Sequence, residues 1–570
     1  MAISPALQAL MDKLAERKAA SSAASAVSTN QLSINQISID SIPSISEAHN
    51  ESLYHHPISG LPLNDKQSEF IQLALKGQSC VLIGAAGTGK TFTVQTMLHA
   101  LIQSGMVPKY EDDSHAHLKH AQHGIIINAF TRRAVANIRK NLSADLAPSC
   151  LTVHAALEFQ PEFYETMDPV SGEFKNSMKF IPTRDKYRPL SDTIHVCIIE
   201  EASMLGTELY RQLREALSSS CIFIFLGDIQ QLPPVFGPAI LGFKMIELPV
   251  IELTEVYRQA FDSPIISLAH RILSGNPMPL AELGEWNTKY KEKGLQFHPL
   301  KKRLHPEHLM PRIAAFFKSE LDSGKLNTDT DVILMPFNKA LGTIELNKEI
   351  AQHLTKQRGE VTHEIIAGFI KHYLAIGDRV LHNKEDAIIT EIKKNPSYIG
   401  VGFRAASHTL DRWGYDTASG SSIEGEISAD DFDFTIADAD ALLAVLENGE
   451  DRAERKNDSS HIITLEMLDG TKVTLNKSAE INQLLLAYAL TVHKSQGSEW
   501  RKVYCVFHQS HNTMIARELL YTAVTRAREE LYIICEPDTF VKGIIAQKVP
   551  GNCLADKIEY FKGKLDRKEY

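Results

Sequence analysis

The sequence predicts an α/β protein built from two parallel sheets, because two sets of short apolar runs alternate with helical stretches along the chain. Continuous apolar runs of this kind are typical of parallel strands that helices cover on both faces. The first set comprises CVLIG (80–84), GIIIN (124–128), IHVCII (194–199) and CIFIFLG (221–227). The second set comprises DVILM (331–335), KVYCVF (502–507) and LYIIC (531–535).

The overall composition is that of an ordinary globular protein with several structural units. A chain of 570 residues, 44% of them hydrophobic and 23% charged, predicts about three to five units. The net charge of −10 argues against a protein that coats nucleic acid, although it leaves room for a local basic channel. No run of 18 apolar residues occurs, so we expect no membrane contact. The seven cysteines form no C-x-x-C pair, which favours a reduced, intracellular protein.

The segments between and beyond the apolar runs divide the chain further. The predicted order is 1–58 (disordered arm with a short N-terminal helix), 59–252 (first lobe, with a β-hairpin insert at 158–192), 253–358 (second lobe, first part), 359–480 (antiparallel insert with an acidic loop at 421–454), 481–545 (second lobe, second part) and 546–570 (C-terminal tail). The sequence places a D-G turn at Asp469 and Gly470, between two candidate antiparallel strands. We interpret the acidic loop as a solvated variable loop, although binding of a basic partner or gating of a channel stays open.

A glycine-rich loop is the strongest local signal. The segment GAAGTGKT (84–91) follows an apolar strand and precedes a helical stretch. Glycines allow backbone N–H groups to point at phosphate oxygens, and the helix N-terminus adds its positive end. Lys90 would reach the β- and γ-phosphates, and the Thr91 hydroxyl would bind Mg²⁺. The predicted phosphate-binding residues are Gly84, Ala85, Ala86, Gly87, Thr88, Gly89, Lys90 and Thr91.

Two acidic residues follow the third apolar strand of the first set. A phosphate-binding loop requires a metal-holding acid at the end of a neighbouring strand. The run IHVCII ends in Glu200 and Glu201, and we expect Glu200 to hold Mg²⁺ and Glu201 to activate the attacking water. By contrast, His115, His117, His120 and His123, near Asp112 and Asp113, form a candidate metal cluster for which a polar loop is the favoured interpretation.

Further segments occur in a characteristic order. They are LNDKQ (63–67), EEAS (200–203), GDIQQLPP (227–234), LTEVYRQ (253–259), YALTVHKSQGSE (488–499) and LYTAVTRAR (520–528). Together with the glycine-rich loop, this set resembles the RecD and Dda branch of superfamily-one helicases, across residues 60–545. The resemblance implies two RecA-like P-loop NTPase lobes, with a small β-hairpin insert in the first and an SH3-like β-barrel insert in the second.

The resemblance also implies roles for individual residues. ATP and Mg²⁺ would lie between the lobes, with Gln67 at the adenine edge. Gln231 would sense the γ-phosphate, and the guanidinium groups of Arg258 and Arg526 would contact it. The implied DNA contacts are Thr131, His154, Thr491, His493 and Lys494, of which the histidines are equally compatible with structural packing. The hairpin would act as a wedge at the fork, where Phe163, Tyr164 or Phe174 either meets the last base pair or packs on the lobe.

The resemblance implies an ATP-dependent DNA helicase that moves 5′-to-3′ on single-stranded DNA and opens fork duplexes in replication, recombination or repair. Its implied setting is the cytoplasm of a bacterial or phage-infected cell, with replication or recombination proteins as partners. The sequence departs from the family at Glu200, where the family has Asp, and at Phe130, where it has Pro. The Glu200 departure keeps open a clamp or regulatory subunit that binds ATP without unwinding. An RNA translocase and a RecD-like subunit of a nuclease complex also stay open.

Overall fold

The computed structural model describes residues 54–57, 59–108, 123–140, 142, 146–167, 174–234, 237–255, 263–300, 305–339, 341–368, 370–382, 385–398, 458–467 and 470–567. Residues 1–53 and 58 of the predicted N-terminal arm, the acidic loop, Arg258 and the histidine cluster, apart from the backbone of His123, lie outside these residues. The same holds for the side chains of the hairpin aromatics Phe163, Tyr164 and Phe174. Across the described ranges, no helix combines the length and apolarity that a membrane span requires.

The first lobe is built around a parallel sheet. Up to residue 255, the described strands are β1 (Cys80–Gly84), β2 (Met106–Pro108), β3 (His123–Ala129), β4 (Cys150–Thr152), β5 (Gln160–Met167), β6 (Phe174–Ile181), β7 (Ile194–Glu200), β8 (Ile222–Gly227) and β9 (Val250–Leu253). Seven of them form one sheet in the order β2-β3-β7-β8-β1-β9, with β4 beside β3, and every pairing is parallel. Because β7, β8 and β1 are adjacent, the residues that follow their carboxyl ends meet at one edge.

Helices cover both faces of this sheet and carry the loops of its carboxyl edge. They are α1 (Asp65–Leu75), α2 (Lys90–Gln103), α3 (Arg132–Lys140), α4 (Val153–Ala156), α5 (Thr207–Ala216) and α6 (Ile240–Glu247). Helix α1 begins at Asn64, whose side chain accepts from the Gln67 backbone while the Gln67 side chain accepts from the Asn64 backbone. Two apolar clusters pack on opposite faces of the sheet, because alternate residues of β1 and β7 point to each side.

The predicted hairpin is formed by β5 and β6. These strands pair antiparallel from Gln160 opposite Ile181 to Met167 opposite Phe174. The hairpin therefore projects between α4 and β7 of the first lobe as an antiparallel insert.

The second lobe begins after residue 263 with alternating helices and strands. These are α7 (Pro264–Leu273), α8 (Leu280–Tyr290), β10 (Leu295–Pro299), α9 (Pro306–Asp322), β11 (Asp331–Met335) and α10 (Thr343–Arg358). An antiparallel insert follows, with β12 (His363–Ala367), β13 (Ile370–Leu374), β14 (Arg379–His382), β15 (Glu385–Lys394), β16 (Asp458–Met467), β17 (Lys472–Lys477), α11 (Ser478–Asn482) and β18 (Leu485–Leu486). Gly470, in the predicted D-G turn between β16 and β17, has a positive φ of 81°.

The insert has its own small core and a polar junction with the second lobe. Its main sheet has the order β17-β16-β15-β14-β18, and β12 and β13 form a separate pair. Apolar side chains from β12 to β17 form one cluster. At the junction, the buried Asp378 carboxylate accepts from Arg358 at 2.7 Å and from the Tyr488 hydroxyl at 3.0 Å. The bond from Arg358, the last residue of α10, is charge-assisted. Together with the bond from Tyr488, it holds the insert against the second lobe.

The chain then returns to the second lobe and completes its sheet. The elements are β19 (Ala489–Thr491), β20 (Trp500–Phe507), α12 (Arg517–Val524), β21 (Ala527–Cys535) and α13 (Pro537–Ile545). The five strands have the order β10-β21-β20-β11-β19 and are all parallel. The α/β class with two parallel sheets and antiparallel inserts is therefore confirmed.

The C-terminal segment, which the sequence described only as a tail, folds back onto the first lobe. Helix α14 (Leu554–Asp566) packs against α6, where the Phe561 ring lies over Gly242 and 5.4 Å from the Phe243 ring. A Cβ at Gly242 would collide with that ring, so the close approach requires glycine. The segment before α14 is bound by α12, since Glu518 accepts from the backbone N–H groups of Lys548 and Val549 at 2.9 and 3.0 Å. The C-terminal segment thus links the two lobes.

Candidate active site

The glycine-rich loop connects β1 to α2 at the carboxyl edge of the first sheet. Gly87 and Gly89 both have a φ of 82°, a conformation that side chains with a Cβ rarely adopt. A Cβ at Gly84 would collide with the Thr88 hydroxyl and lie 3.1 Å from the Leu253 Cβ. The Thr88 hydroxyl itself donates to the Ala85 carbonyl at 2.8 Å. These constraints set the tight curvature that a phosphate-binding loop requires.

Lys90, the first residue of α2, lies inside this curve. Its ammonium group donates to the carbonyl oxygens of Gly84 and Ala85, the latter at 3.2 Å. The positive charge is thereby fixed over the loop and at the N-terminus of a 14-residue helix, where an anion is favoured. Thr91 is exposed at the same helix end, so its hydroxyl is accessible.

Glu200 is the last residue of β7 and Glu201 follows it, two strands away from β1, which precedes the glycine-rich loop. Burial, and then the neighbouring Glu201 carboxylate, raise the pKa of the Glu200 carboxyl to about 7, against an opposing effect of Lys90. Burial also raises the pKa of Glu201, while Arg526 and Lys90 lower it. A carboxylate whose ionised form is disfavoured by burial is suited to accept a proton or to bind a cation.

Glu201 also has an unusual backbone. Its φ of 52° and ψ of 42° place it in the left-handed region, and among the described non-glycine residues it shares a positive φ with Glu158 alone. The cost of such a conformation is about 1–3 kcal/mol, and the surrounding structure must supply it. The strain turns the Glu201 side chain out of the β7 register and starts the 3-10 turn Ala202–Met204.

Asp228 and Gln231 follow β8, between the acids and the glycine-rich loop. Both side chains are buried, with 2% and 7% of their surface exposed. Asp228 accepts from the backbone N–H of Gln230 at 2.9 Å. The Gln231 side-chain oxygen has no hydrogen-bond partner among the residues that the structure describes. A buried amide oxygen in this state is costly unless a ligand or water bonds it, so Gln231 is suited to sense an occupant of the cleft.

A buried polar junction joins this edge to α12 of the second lobe. The Tyr521 hydroxyl accepts from the backbone N–H of Ala86 at 2.8 Å and donates to the Asp228 carboxylate at 2.6 Å. One residue later, the Thr522 hydroxyl accepts from the backbone N–H of Leu232 at 3.0 Å. The Leu232 carbonyl accepts from the Gln496 side chain, also at 3.0 Å. The glycine-rich loop and the segment after β8 are therefore both bonded to the second lobe.

Sequence reasoning did not assign roles to Tyr521, Thr522 or Gln496, although all three lie in segments that it singled out. Their location in the segments LYTAVTRAR and YALTVHKSQGSE indicated that they lie near the site. The sequence alone does not show which side chain of each segment bonds to the first lobe.

Arg526 lies at the end of the same helix. Its guanidinium is 5% exposed and donates to the Thr522 carbonyl, the Ser498 carbonyl and the Thr525 hydroxyl at 3.0–3.2 Å. From this position its charge lowers the pKa of Glu201, so the two groups are within electrostatic range. The structure thus brings Arg526 to the side of the site that carries Glu201.

The Gln67 side chain, which the resemblance assigned to the adenine edge, is bonded within the helix cap. It is completely buried, and its side-chain oxygen accepts from the Asn64 backbone N–H at 3.0 Å as part of the α1 capping box. Close to α2, the rings of His56 and Phe92 stack at 4.2 Å with an interplanar angle of 12°. The acceptor that the sequence assigned to adenine is therefore used by the helix cap.

The five predicted DNA contacts lie at, or within a few residues of, the carboxyl ends of strands of both sheets. The Thr131 and Thr491 hydroxyls accept from the backbone N–H groups of Ala134 and Lys494, at 3.1 and 3.3 Å. His154 lies in α4, with its ring 5.6 Å from that of Phe130 and 5.0 Å from that of Phe159. His493 and Lys494 form the 3-10 turn that follows β19. Phe130 is partly buried against the first-lobe core.

Among the described residues, no group of three or more His, Cys, Asp or Glu side chains could hold a metal ion. Six of the cysteines are buried, and burial raises the pKa of the Cys80 and Cys150 thiols to about 12. The oxygen donors Thr91 and Glu200 fit the preference of Mg²⁺ for hard ligands.

Comparisons with known proteins agree with the order of the motifs. A family described as "AAA domain" matches residues 67–237, and one described as "UvrD-like helicase C-terminal domain" matches residues 486–534. The ATP-dependent RecD2 DNA helicase of Deinococcus radiodurans is 29% identical over 336 residues, which are 59% of this chain and 35% of that protein. The ATP-dependent DNA helicase dda of phage T4 is 30% identical over 197 residues, or 34% of this chain and 37% of that protein.

Longer but weaker similarities extend along most of the chain. The RecBCD enzyme subunit RecD of Haemophilus influenzae is 23% identical over 490 residues, which are 83% of this chain and 69% of that subunit. The Pif1 helicase of Candida albicans superposes with a TM-score of 0.41 at 15% identity, over 88% of this chain and 99% of the solved one.

Proposed function

We propose, from the premise that this chain is a low-identity relative of the superfamily-one helicases of the RecD and Dda type, that it is an ATP-dependent DNA helicase. The observation that carries the proposal is the junction at the cleft. A single tyrosine of the second lobe bonds both the glycine-rich loop and the segment after β8. ATP bound at that loop would therefore change contacts between the lobes, as a motor requires.

The first lobe would bind and activate the nucleotide. The loop N–H groups and Lys90 would hold the phosphates, and Thr91 and Glu200 would hold Mg²⁺. Mg²⁺ would neutralise charge between the β- and γ-phosphates. Glu201 would orient the attacking water and accept its proton, a role supported by the effect of burial, which raises the pKa of its carboxyl group.

The second lobe would complete the site. Arg526, and Arg258 from outside the described residues, would stabilise charge on the transferred phosphoryl group. Gln231, whose buried side-chain oxygen has no hydrogen-bond partner among the described residues, would report whether the γ-phosphate is present. Gln67 would contribute to the adenine side through α1, with its amide group held by the capping box.

Single-stranded DNA would cross the carboxyl edges of both sheets. Thr131 and His154 would contact it on the first lobe, and Thr491, His493 and Lys494 on the second, mostly at phosphates. The β5–β6 hairpin would act as the wedge at the fork, and the insert at 359–480 would close over the strand as an SH3-like β-barrel. Movement would be 5′-to-3′, in replication, recombination or repair, with partner proteins at the fork.

A second candidate is an ATP-binding clamp without productive unwinding, favoured only by Glu200. The test is ATP hydrolysis with and without single-stranded DNA, in the intact chain and in Lys90→Ala and Glu201→Gln. Stimulation by DNA and loss of hydrolysis in both variants support the motor. DNA binding without hydrolysis in the intact chain supports the clamp. Parallel titrations with single-stranded DNA and RNA of one sequence decide between a DNA and an RNA motor.

A further inference from the structure

The loop at residues 183–188, hereafter the Tyr187 loop, displays an aromatic ring to solvent. Tyr187 is 82% exposed, more than any other large hydrophobic side chain among the described residues. Lys186 and Arg188 flank it and are also exposed. The Lys186 ammonium lies 4.8 Å from the centre of the Tyr187 ring. An exposed ring between two cations is the combination that proteins use to hold single strands, by stacking on bases and pairing with phosphates.

The exposure of Tyr187 is fixed by the loop around it. The Asp185 carboxylate accepts from the backbone N–H groups of Tyr187 and Arg188 at 2.8 and 2.9 Å. The Asp185 N–H donates to the Arg188 carbonyl at 3.2 Å, which closes the turn on itself. A ring held out by a preformed turn loses little entropy when a ligand covers it.

Glu158 anchors this turn to the first lobe. Its carboxylate accepts from Arg184 at 2.6 Å and lies 3.2 Å from the Arg188 guanidinium. The bond from Arg184 holds the pKa of the Glu158 carboxyl below its usual range, so the anchor is ionised at neutral pH. Glu158 also has a φ of 50°, and strain of this kind concentrates where a functional geometry must be held.

Glu158 adjoins a residue that contacts His154, one of the predicted DNA-binding residues. Phe159, next to Glu158, places its ring 5.0 Å from that of His154. The backbone N–H groups of Thr183 and Arg184 donate to the Leu157 carbonyl at 3.1 and 3.2 Å. The Tyr187 loop therefore lies at the foot of the hairpin, continuous with the segment that carries His154.

We propose that the Tyr187 loop is an additional site for single-stranded nucleic acid. The Tyr187 ring stacks on one base, and Lys186 and Arg188 pair with the phosphates on either side. The site rests on the proposed helicase function and adds to it a grip beside the hairpin, outside the family motifs.

The test uses the full chain and a fluorescent 20-nucleotide oligo(dT), with affinity measured by anisotropy over a series of salt concentrations. Tyr187→Ala is expected to weaken binding about tenfold or more, because one base loses its stacking partner. Tyr187→Phe keeps the ring and should bind within twofold of the intact chain. Replacing both Lys186 and Arg188 by Gln should lower the slope of log affinity against log salt by about 1.4, or about 0.7 for each phosphate.

Lys289→Gln is the matched control. Lys289 lies over the neighbouring Tyr290 ring at the same 4.8 Å, but in α8 of the second lobe. This variant should leave both affinity and salt slope unchanged. Photo-crosslinking with 5-iodouracil in the oligonucleotide should yield a modified peptide that contains Tyr187.

The outcomes separate the two proposals. If the intact chain binds the oligonucleotide and Tyr187→Ala binds it equally well, the loop is not a strand site and the helicase proposal stands. A Tyr187 loop that contacts a protein partner instead would give this same result. If the intact chain neither binds the oligonucleotide nor hydrolyses ATP faster with it, the helicase proposal fails and the loop proposal falls with it.

Discussion

Replacement of Tyr521 by Phe removes one oxygen from the centre of the cleft and leaves the ring in place. The hydroxyl has two partners on the first lobe, the backbone N–H of Ala86 and the carboxylate of Asp228. Tyr521 and Asp228 are 1% and 2% exposed, so water replaces neither bond easily. The variant therefore breaks the two bonds that tie the glycine-rich loop and the β8 end to α12.

The expected magnitude follows from the type of each bond. The bond from Ala86 is between neutral groups and contributes about 1 kcal/mol, whereas the bond to the Asp228 carboxylate contributes about 1.5–3 kcal/mol. Their sum, about 2.5–4 kcal/mol, stabilises only the arrangement in which the lobes are closed. Since about 1.4 kcal/mol corresponds to a factor of ten, we expect the DNA-stimulated kcat of Tyr521→Phe to fall at least tenfold.

Nucleotide binding should respond much less than turnover. The phosphates are expected to be held by first-lobe groups, chiefly the loop N–H groups and Lys90, which the variant keeps. We expect the affinity for a fluorescent ATP analogue, measured without DNA, to change by less than threefold. The assay is steady-state ATP hydrolysis over a DNA titration, together with equilibrium binding of the analogue.

Tyr504→Phe is the matched control. Its hydroxyl also donates to a buried carboxylate, Glu320, at 2.9 Å, but both partners belong to the second lobe. This variant should lose a comparable amount of stability and keep its DNA-stimulated kcat within twofold. A Tyr521→Phe protein with unchanged kcat, or with a raised KM and unchanged kcat, would refute the coupling role of the hydroxyl.

Three further predictions follow from the same contacts. Glu201→Gln should abolish ATP hydrolysis with little change in Tm. Glu201→Gly should also be inactive but should be stabilised by about 1 kcal/mol, because glycine adopts the positive φ of this position without strain. Equal Tm values for the two variants would contradict the backbone strain at Glu201. Phe561→Ala should remove about 3–5 kcal/mol of the stabilisation that packing of this ring provides. The loss should appear as faster hydrogen exchange across residues 554–566. Unchanged exchange there would show that the ring does not hold α14 on the first lobe. Burial lowers the pKa of Lys557 in the folded chain, so the charged form of this residue destabilises the fold. As pH rises through this lowered pKa towards the unfolded value near 10.5, the intact chain should gain stability relative to Lys557→Met. A Tm difference between these two proteins that is constant from pH 7 to 10 would contradict this prediction.

Short continuous segments of the sequence were enough to predict most of the fold and the first-lobe part of the candidate site. The glycine-rich loop needs only eight consecutive residues, so its strand, its curvature and the place of Lys90 could all be predicted locally. Glu200 and Glu201 could be placed beside it because parallel strands share one carboxyl edge. The hairpin at 158–192 was predicted from its turn, and β5 and β6 form there.

Contacts between distant residues could not be predicted in the same way. Tyr521 and Ala86 are separated by 435 positions, and nothing in either segment specifies their bond. The fit of Phe561 over Gly242 likewise depends on where the chain returns after the second sheet. At Gln67 a local rule, helix capping, uses the acceptor that the resemblance assigned to adenine. The catalytic, nucleotide-binding, metal-binding and DNA-binding roles of all the predicted site residues stay predictions.

A motor that uses ATP hydrolysis in this cleft to move along single-stranded DNA should displace one strand of a duplex that carries a single-stranded overhang. A labelled duplex with a 5′ single-stranded overhang and one with a 3′ overhang are incubated with the intact chain, ATP and Mg²⁺, beside Lys90→Ala. We expect displacement from the 5′ overhang alone, and none by Lys90→Ala. Displacement from the 3′ overhang alone would contradict the direction, and hydrolysis without displacement from either substrate would contradict the motor itself.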